Sequence, residues 1–241
     1  MDRSADIVII GAGIAGAASA YYLAKGGAKV VVCEKGEVAG EQSSRNWGFV
    51  RQQGRDPAEI PLMMACNRIW RELERELNAD LEWLANGNVV TFADEAERAA
   101  WEGWRDTARD FGLHAELLDR SGLDRLIPGH AFDCLGGIHT ESDGQAEPTK
   151  VTAAFRRAAE GRGAEFLTHC AAYEVETEAG AVAGVLTERG GIRAPVVVCA
   201  AGAWSGRLLR TLGLKLPQIW LKGSVARTTA APIISHTATW T

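Results

Sequence analysis

The stretch from Asp6 to Glu34, DIVIIGAGIAGAASAYYLAKGGAKVVVCE, constrains the fold of this 241-residue chain more than any other. An apolar run, Ile7 to Ile10, reads as a buried parallel strand. It feeds straight into Gly11, Gly13 and Gly16, spaced G-x-G-x-x-G, with Ile14 and Ala15 opening a helix between them that runs to Lys25. The first glycine permits a tight turn, the second lets backbone approach a pyrophosphate, and the third lets helix pack close on strand. The helix N-terminus, carrying partial positive charge, is suited to face phosphate oxygens. Gly26 and Gly27 stop the helix, and the valine-rich run Lys29 to Cys33 forms a second strand ending at Glu34. That is close to the point, about 20 residues on, where a carboxylate meets the ribose hydroxyls of a dinucleotide. Glu34 would repel a 2′-phosphate, so the reading favours FAD or NAD over NADP, and the adjacent Lys35 reads as a solvated strand-end lysine.

The next segment, GEQSSRNWGFVRQQGRD from Gly40, is polar and irregular, poor core material but suited to lining a cofactor channel. Taken with the βαβ unit, it resembles the D-amino-acid oxidase superfamily of FAD-dependent amine and amino-acid oxidoreductases, which includes glycine and sarcosine oxidases. The string GEQSSR most resembles the bacterial membrane-associated L-amino-acid deaminases. The resemblance implies pyrophosphate contacts at Ser43, Ser44 and Arg45 and flavin neighbours at Asn46, Trp47 and Gly48. DGQAEP, Asp143 to Pro148, resembles the family's turn into a returning helix. AEFLTHCAAYEVE resembles a strand pair whose turn meets the adenine through the backbone of Ala172. VVVCAAGAWS, Val196 to Ser205, resembles the family's strand and glycine turn against the cofactor, implicating Ala201, Gly202 and Trp204.

The resemblance implies an α/β fold, a Rossmann-like FAD-binding domain (residues 1–58 and 143–213) interleaved with a smaller α+β substrate domain (59–142 and 214–241). The family carries a longer C-terminal portion, so the chain reads as a truncated member. SVARTTAAP resembles a substrate-domain strand, and the tail IISHTATWT continues no recognised motif. The implied chemistry is oxidation of the carbon–nitrogen bond of an amino acid or secondary amine by hydride transfer to noncovalent FAD, with oxygen or an electron-transport acceptor taking the electrons. Pocket candidates are Trp47, Arg51, Gln53 and His139, each with an ordinary packing or pairing account beside it, and no base is assigned. An NAD-dependent dehydrogenase and a non-catalytic nucleotide-binding remnant are the competing readings.

Composition narrows the classes further. With 46% hydrophobic and 24% charged residues and a net charge of −5, the chain reads as a soluble globular protein without the basic stripe of a nucleic-acid binder. No apolar run reaches the roughly 20 residues that span a bilayer, and Met1 to Ala5 is too short and polar for a signal peptide, so the cytoplasm is the expected address. Five cysteines without a C-x-x-C pair and five scattered histidines indicate neither a disulfide framework nor a metal site. Cys33 and Cys199 read as core residues, and no histidine or cysteine stands beside Asn46 to Gly48 to tether a flavin.

Elsewhere, periodicity predicts helices over Glu59–Leu77, Glu95–Phe111 and Pro148–Arg162. A hairpin is expected from Leu81–Leu84 and Val89–Phe92 around Asn86, Gly87 and Asn88. Strands are expected at His114–Leu118, Leu135–Thr140, Glu165–Thr168, Tyr173–Thr177, Val182–Thr187 and Val196–Cys199.

Overall fold

The structure, a computed structural model, describes residues 3–226, 229, 232–233 and 235–240. In chain order these form β1 (Arg3–Ser4), β2 (Ile7–Ile10), α1 (Ile14–Lys25), β3 (Val30–Cys33), β4 (Phe49–Val50), α2 (Ile60–Leu77) and β5 (Asn88–Phe92). Next come α3 (Glu95–Asp110), β6 (Glu116–Asp119), α4 (Arg120–Leu126), β7 (Gly136–Thr140), β8 (Gly144–Gln145) and α5 (Pro148–Glu160). The remainder supplies β9 (Glu165–Leu167), β10 (Ala172–Glu178), β11 (Ala181–Thr187), β12 (Gly190–Arg193), β13 (Val196–Cys199), α6 (Ser205–Arg210) and β14 (Ala238–Trp240). They divide into two compact units, Met1–Asn46 with Pro148–Val225, and Trp47–Glu147 with Ala226–Thr241.

The first unit holds a parallel sheet in the order β13-β2-β3-β9. Its central strands β2 and β3 are apolar and almost wholly buried, as a sheet covered on both faces requires. Helix α1 buries Ala17, Ala20, Tyr21 and Ala24 and packs against α5, where Phe155 lies 5.7 Å from the Tyr21 ring. The second sheet of this unit, β1-β12-β11-β10, is an antiparallel meander with β1 added in parallel on β12. A core that includes Val8, Val31, Leu167, Val175, Val185 and Ile192 joins the two sheets.

The second unit is built on a mixed sheet, β14-β5-β7-β6, with the short ladder β4-β8 beside it. Its helices start where the local chemistry says they should. Asp94 accepts the Glu97 amide at 2.8 Å while the Glu97 carboxylate accepts the Ala93 amide, and Asp119 accepts the Gly122 amide at 2.7 Å. Helix α2 begins with proline at its N-terminus and ends at Asn78 in the left-handed region.

Two expectations are corrected. The Leu81–Leu84 hairpin arm does not form: Leu84 instead exchanges both main-chain bonds with Gln145, and β5 pairs with β7 and β14. Glu82 has φ +53, and Glu74 accepts the Leu81 and Trp83 amides, so this run cannot stay extended alongside β5. The strands flanking Cys170 are not a pair, because β9 ends the parallel sheet and β10 the antiparallel one. The chain crosses between them where the Cys170 amide donates to the Glu34 carbonyl. Within the tail, where no motif was recognised, Ala238–Trp240 forms the edge strand on β5. The expected strand at Ser224–Pro232 falls partly on residues outside those described, and Ser224–Ala226 form no strand.

The unit boundaries also differ from those expected. Residues 47–58 and 143–147 belong to the second unit, because β4 pairs with β8 and Gln52 and Gln53 bind Asp143. Residues 214–225 belong to the first.

Candidate functional site

The strand–turn–helix at Gly11 sets the geometry. Gly11 has φ +104, and a Cβ there would stand 2.4 Å from the Ala200 carbonyl oxygen of the neighbouring glycine turn. At Gly16 a Cβ would stand 1.9 Å from the Gly11 carbonyl oxygen, so helix α1 can sit this close to β2 only without one. Helix α1 has no side-chain cap at Gly13 and no acidic residue in its first turn, leaving the positive end of its dipole without a carboxylate of its own.

Beside this turn lies a cavity of about 1290 Å³, formed within the first unit. The turn lines it through Gly11, Gly13, Ile14 and Ala15, and the Ile14 amide donates to Ser43 Oγ at 2.8 Å. Glu34, at the end of β3, is buried and lines the same cavity. Its Oε2 accepts the Ala12 amide and its Oε1 the Gly36 amide, both at 2.8 Å. Each oxygen keeps a second lone pair for a hydroxyl donor. Ala172 and the turn residues Ala201, Gly202 and Trp204 also line it, with Asn46 and Lys35.

Most of the residues expected to hold a cofactor are thus brought together, and five are not among the lining residues. Gly16 acts in packing. The Ser44 hydroxyl donates to the Glu41 carbonyl, and Arg45 Nη1 pairs with Glu41 Oε2 at 2.9 Å. Trp47 and Gly48 belong to the second unit. Lys35 is not merely solvated, since its Nζ bonds Glu41 Oε1 at 2.7 Å and sits 3.6 Å from the centroid of the Trp204 ring. These contacts hold Glu41 below the usual carboxylate range, with the Lys35 hydrogen bond as the main cause. Sequence reasoning missed Gln42, Tyr173 and the Gln218–Leu221 segment, all lining residues.

The four pocket candidates all lie in the second unit. Trp47 is exposed and tilts against Phe49, with ring centroids 6.4 Å apart. Arg51 stacks over Trp240 at 4.8 Å and donates to the Gln53 carbonyl at 2.6 Å. Gln53 is fully buried, its side chain taken up by the Ile138 carbonyl and by Asn88. His139 lies in β7 between Val89 and Glu116, where burial lowers its pKa against the opposing pull of Glu116 and Glu141. Gln53 therefore has a structural occupation, while Trp47, Arg51 and His139 keep surface to offer.

Cys33 and Cys199 line the edge of the cavity at their strand ends, and burial, reinforced by Cys170, pushes the Cys33 thiol up to about 12. Among the described residues, no group of three or more histidines, cysteines or carboxylates is placed to hold a metal, and no helix is long and apolar enough to cross a membrane.

A bare glycine turn, an uncapped helix N-terminus, a hydroxyl and a carboxylate with spare lone pairs define a dinucleotide-binding α/β protein, and FAD's pyrophosphate and ribose fit that donor and acceptor set. The chain belongs to the DAO family, FAD dependent oxidoreductase, whose model matches residues 6–240, and this sets aside the nicotinamide reading. It is 30% identical to sarcosine oxidase subunit beta of Rhizobium meliloti over 219 residues, 88% of this chain and 53% of that one. A solved structure of L-amino acid deaminase from Proteus myxofaciens, in complex with anthranilate, superposes with a TM-score of 0.83 at 32% identity, covering 90% of this chain and 50% of that one. Glycine oxidase from Geobacillus kaustophilus gives 0.83 at 26%, covering 89% and 60%. The chain spans about half the length of these three relatives.

Proposed function

We propose that the first unit binds FAD noncovalently and that the protein oxidises the carbon–nitrogen bond of an amino acid or secondary amine. The observation that carries the reading is the cavity where the Gly11–Ala15 turn, the Ser43 hydroxyl and the two-amide-bound Glu34 carboxylate meet. Ser43, fixed by the Ile14 amide, retains its own proton to donate to a phosphate oxygen. Glu34, held immobile from both sides, accepts from ribose hydroxyls without paying further ordering entropy. When bound, FAD would supply a two-electron acceptor for hydride from the substrate carbon, with oxygen or an electron-transport acceptor as the final electron sink and the imine product open to hydrolysis.

Noncovalent attachment is supported by the residues lining the cavity: none of those described is a histidine, and of the two cysteines, Cys33 and Cys199, the Cys33 thiol is held protonated by burial. The relatives, named for sarcosine, glycine and L-amino acids, support the substrate class. For the substrate itself the second unit offers Arg51 as a carboxylate partner and Trp47 and His139 as contact residues.

The test is a visible absorption spectrum of the purified chain, repeated on the supernatant after acid precipitation. A flavin spectrum that moves to the supernatant, and that bleaches on adding sarcosine, glycine or another amino acid, is expected. A chain that stays colourless with added FAD overturns the cofactor reading. Bound flavin that no amine bleaches leaves a nucleotide-binding protein without this activity.

A further inference from the structure

We propose that the segment Pro217–Leu221 is a strap across the dinucleotide cavity and that Gln218 is its latch, setting how long the cofactor stays bound. This rests on the reading of the cavity as the FAD site. After the turn that follows α6, residues 214–226 form no helix or strand, yet Gln218, Ile219, Trp220 and Leu221 line the cavity. Two attachments hold them there. Gln218 Oε1 accepts the Gly206 amide at 2.7 Å and its Nε2 donates to the Gly202 carbonyl at 3.3 Å, so one side chain ties the segment to both the glycine turn that lines the cavity and the start of helix α6. The Trp220 ring meets the Trp204 ring edge-on at 5.6 Å, and Trp204 in turn carries Lys35.

A third observation shows that the chain is shaped for this contact. Gly206 lies within the short helix α6, where a glycine weakens the helix, yet a Cβ there would stand 2.9 Å from Gln218 Oε1 and 3.2 Å from the Leu216 carbonyl oxygen. The glycine leaves the room in which the strap lies down. The strap buries little of itself: Ile219 and Leu221 are each 89% exposed, so little more than hydrogen bonds and one ring contact oppose its opening. A segment with few buried apolar contacts opens locally, well below the free energy of unfolding the unit.

The experiment follows FAD release from the reconstituted protein by recovery of flavin fluorescence on dilution, with indole emission as a second readout. The variants are Gln218→Ala, which removes the latch, and Gly206→Ala, whose Cβ would crowd Gln218 Oε1 and the Leu216 carbonyl oxygen while favouring helix α6. Both should release FAD about tenfold faster, the scale of losing one or two neutral hydrogen bonds, with the unfolding midpoint of the cofactor-free protein little changed. If wild type holds FAD and both alanine variants release it at the wild-type rate, the strap is overturned and the FAD site stands. If wild type takes up no FAD, the site reading falls and the strap falls with it.

Discussion

Glu34 in the first unit and Asp143 in the second are both buried carboxylates set against main-chain amides, but their surroundings differ in what they leave over. Glu34 spends one lone pair per oxygen, on Ala12 and Gly36, and turns the remainder toward a cavity. Asp143 is fully buried and spends itself inward. Its Oδ1 accepts the Gln52 amide at 2.8 Å and the Gln52 side chain at 3.0 Å, and its Oδ2 accepts the Gln53 amide at 3.2 Å. Gln53 then continues to Asn88 and the Ile138 carbonyl, tying the 51–55 loop onto β5 and β7. The two groups have the same chemistry, but one prepares a place for a ligand and the other fastens the chain to itself.

The sharpest way to break the comparison is a pair of amide substitutions. Glu34→Gln keeps one acceptor and turns an NH2 toward an amide donor. It should weaken FAD binding by about 100-fold, equivalent to losing one hydrogen bond to a charged group, as read by fluorescence titration. Asp143→Asn puts the same conflict against Gln52 or Gln53. It should cost the fold about 2 kcal/mol in denaturant unfolding while leaving FAD affinity within about twofold. If Glu34→Gln leaves FAD affinity intact, or Asp143→Asn weakens it as strongly, the contrast between a ligand carboxylate and a structural one is wrong.

A smaller effect sharpens the same contrast through pH. Burial raises the pKa of Asp143 above its ordinary 3.8, although the Gln52 and Gln53 hydrogen bonds pull the other way. A raised folded-state pKa means that the native state binds the proton more tightly than the unfolded chain. The stability this confers is present below the unfolded value and lost as pH rises through the folded one. The deficit of Asp143→Asn should therefore be largest in acid and shrink as pH rises through that window. A deficit that grows with pH would show the carboxylate to be better stabilised folded than unfolded.

These differences also account for what could be read from the sequence. The Gly11–Glu34 unit was legible because its demands are local: the turn needs positive φ at Gly11, the helix needs bare backbone at Gly16, and the strands announce themselves by unbroken valine and isoleucine. Helices α2 and α3 were legible for the same reason, by periodicity. The Leu81–Leu84 arm was misread because its partner, Gln145, lies far along the chain and Glu74 competes for its amides. The tail strand β14 is short and finds its place by pairing with β5, far back along the chain. Gln218 was invisible because an exposed glutamine in a coil carries no signal, and the one clue was a glycine at 206 inside a helix.

Glu41 gives the comparison its exposed limit and the smallest expected effect. It joins Lys35 and Arg45 across a solvent-facing loop, with Arg45 itself 64% exposed at the side chain. The family resemblance gave Arg45 to the pyrophosphate, whereas the observed partner is Glu41 at 2.9 Å. If that pair is the main occupation of the guanidinium, Arg45→Ala should change FAD affinity by no more than about threefold and stability by less than about 1 kcal/mol, because exposed ion pairs are weak and screened. The Glu41 pKa is lowered, so its contribution is present above the ordinary 4.5 and lost as pH falls through the depressed value. The effect of Arg45→Ala should fade in the same acid range and in high salt. A loss of tenfold or more in FAD affinity would instead show Arg45 leaving Glu41 for the phosphates when the cofactor arrives. Glu41 would then be a holding site for that charge, not its final partner.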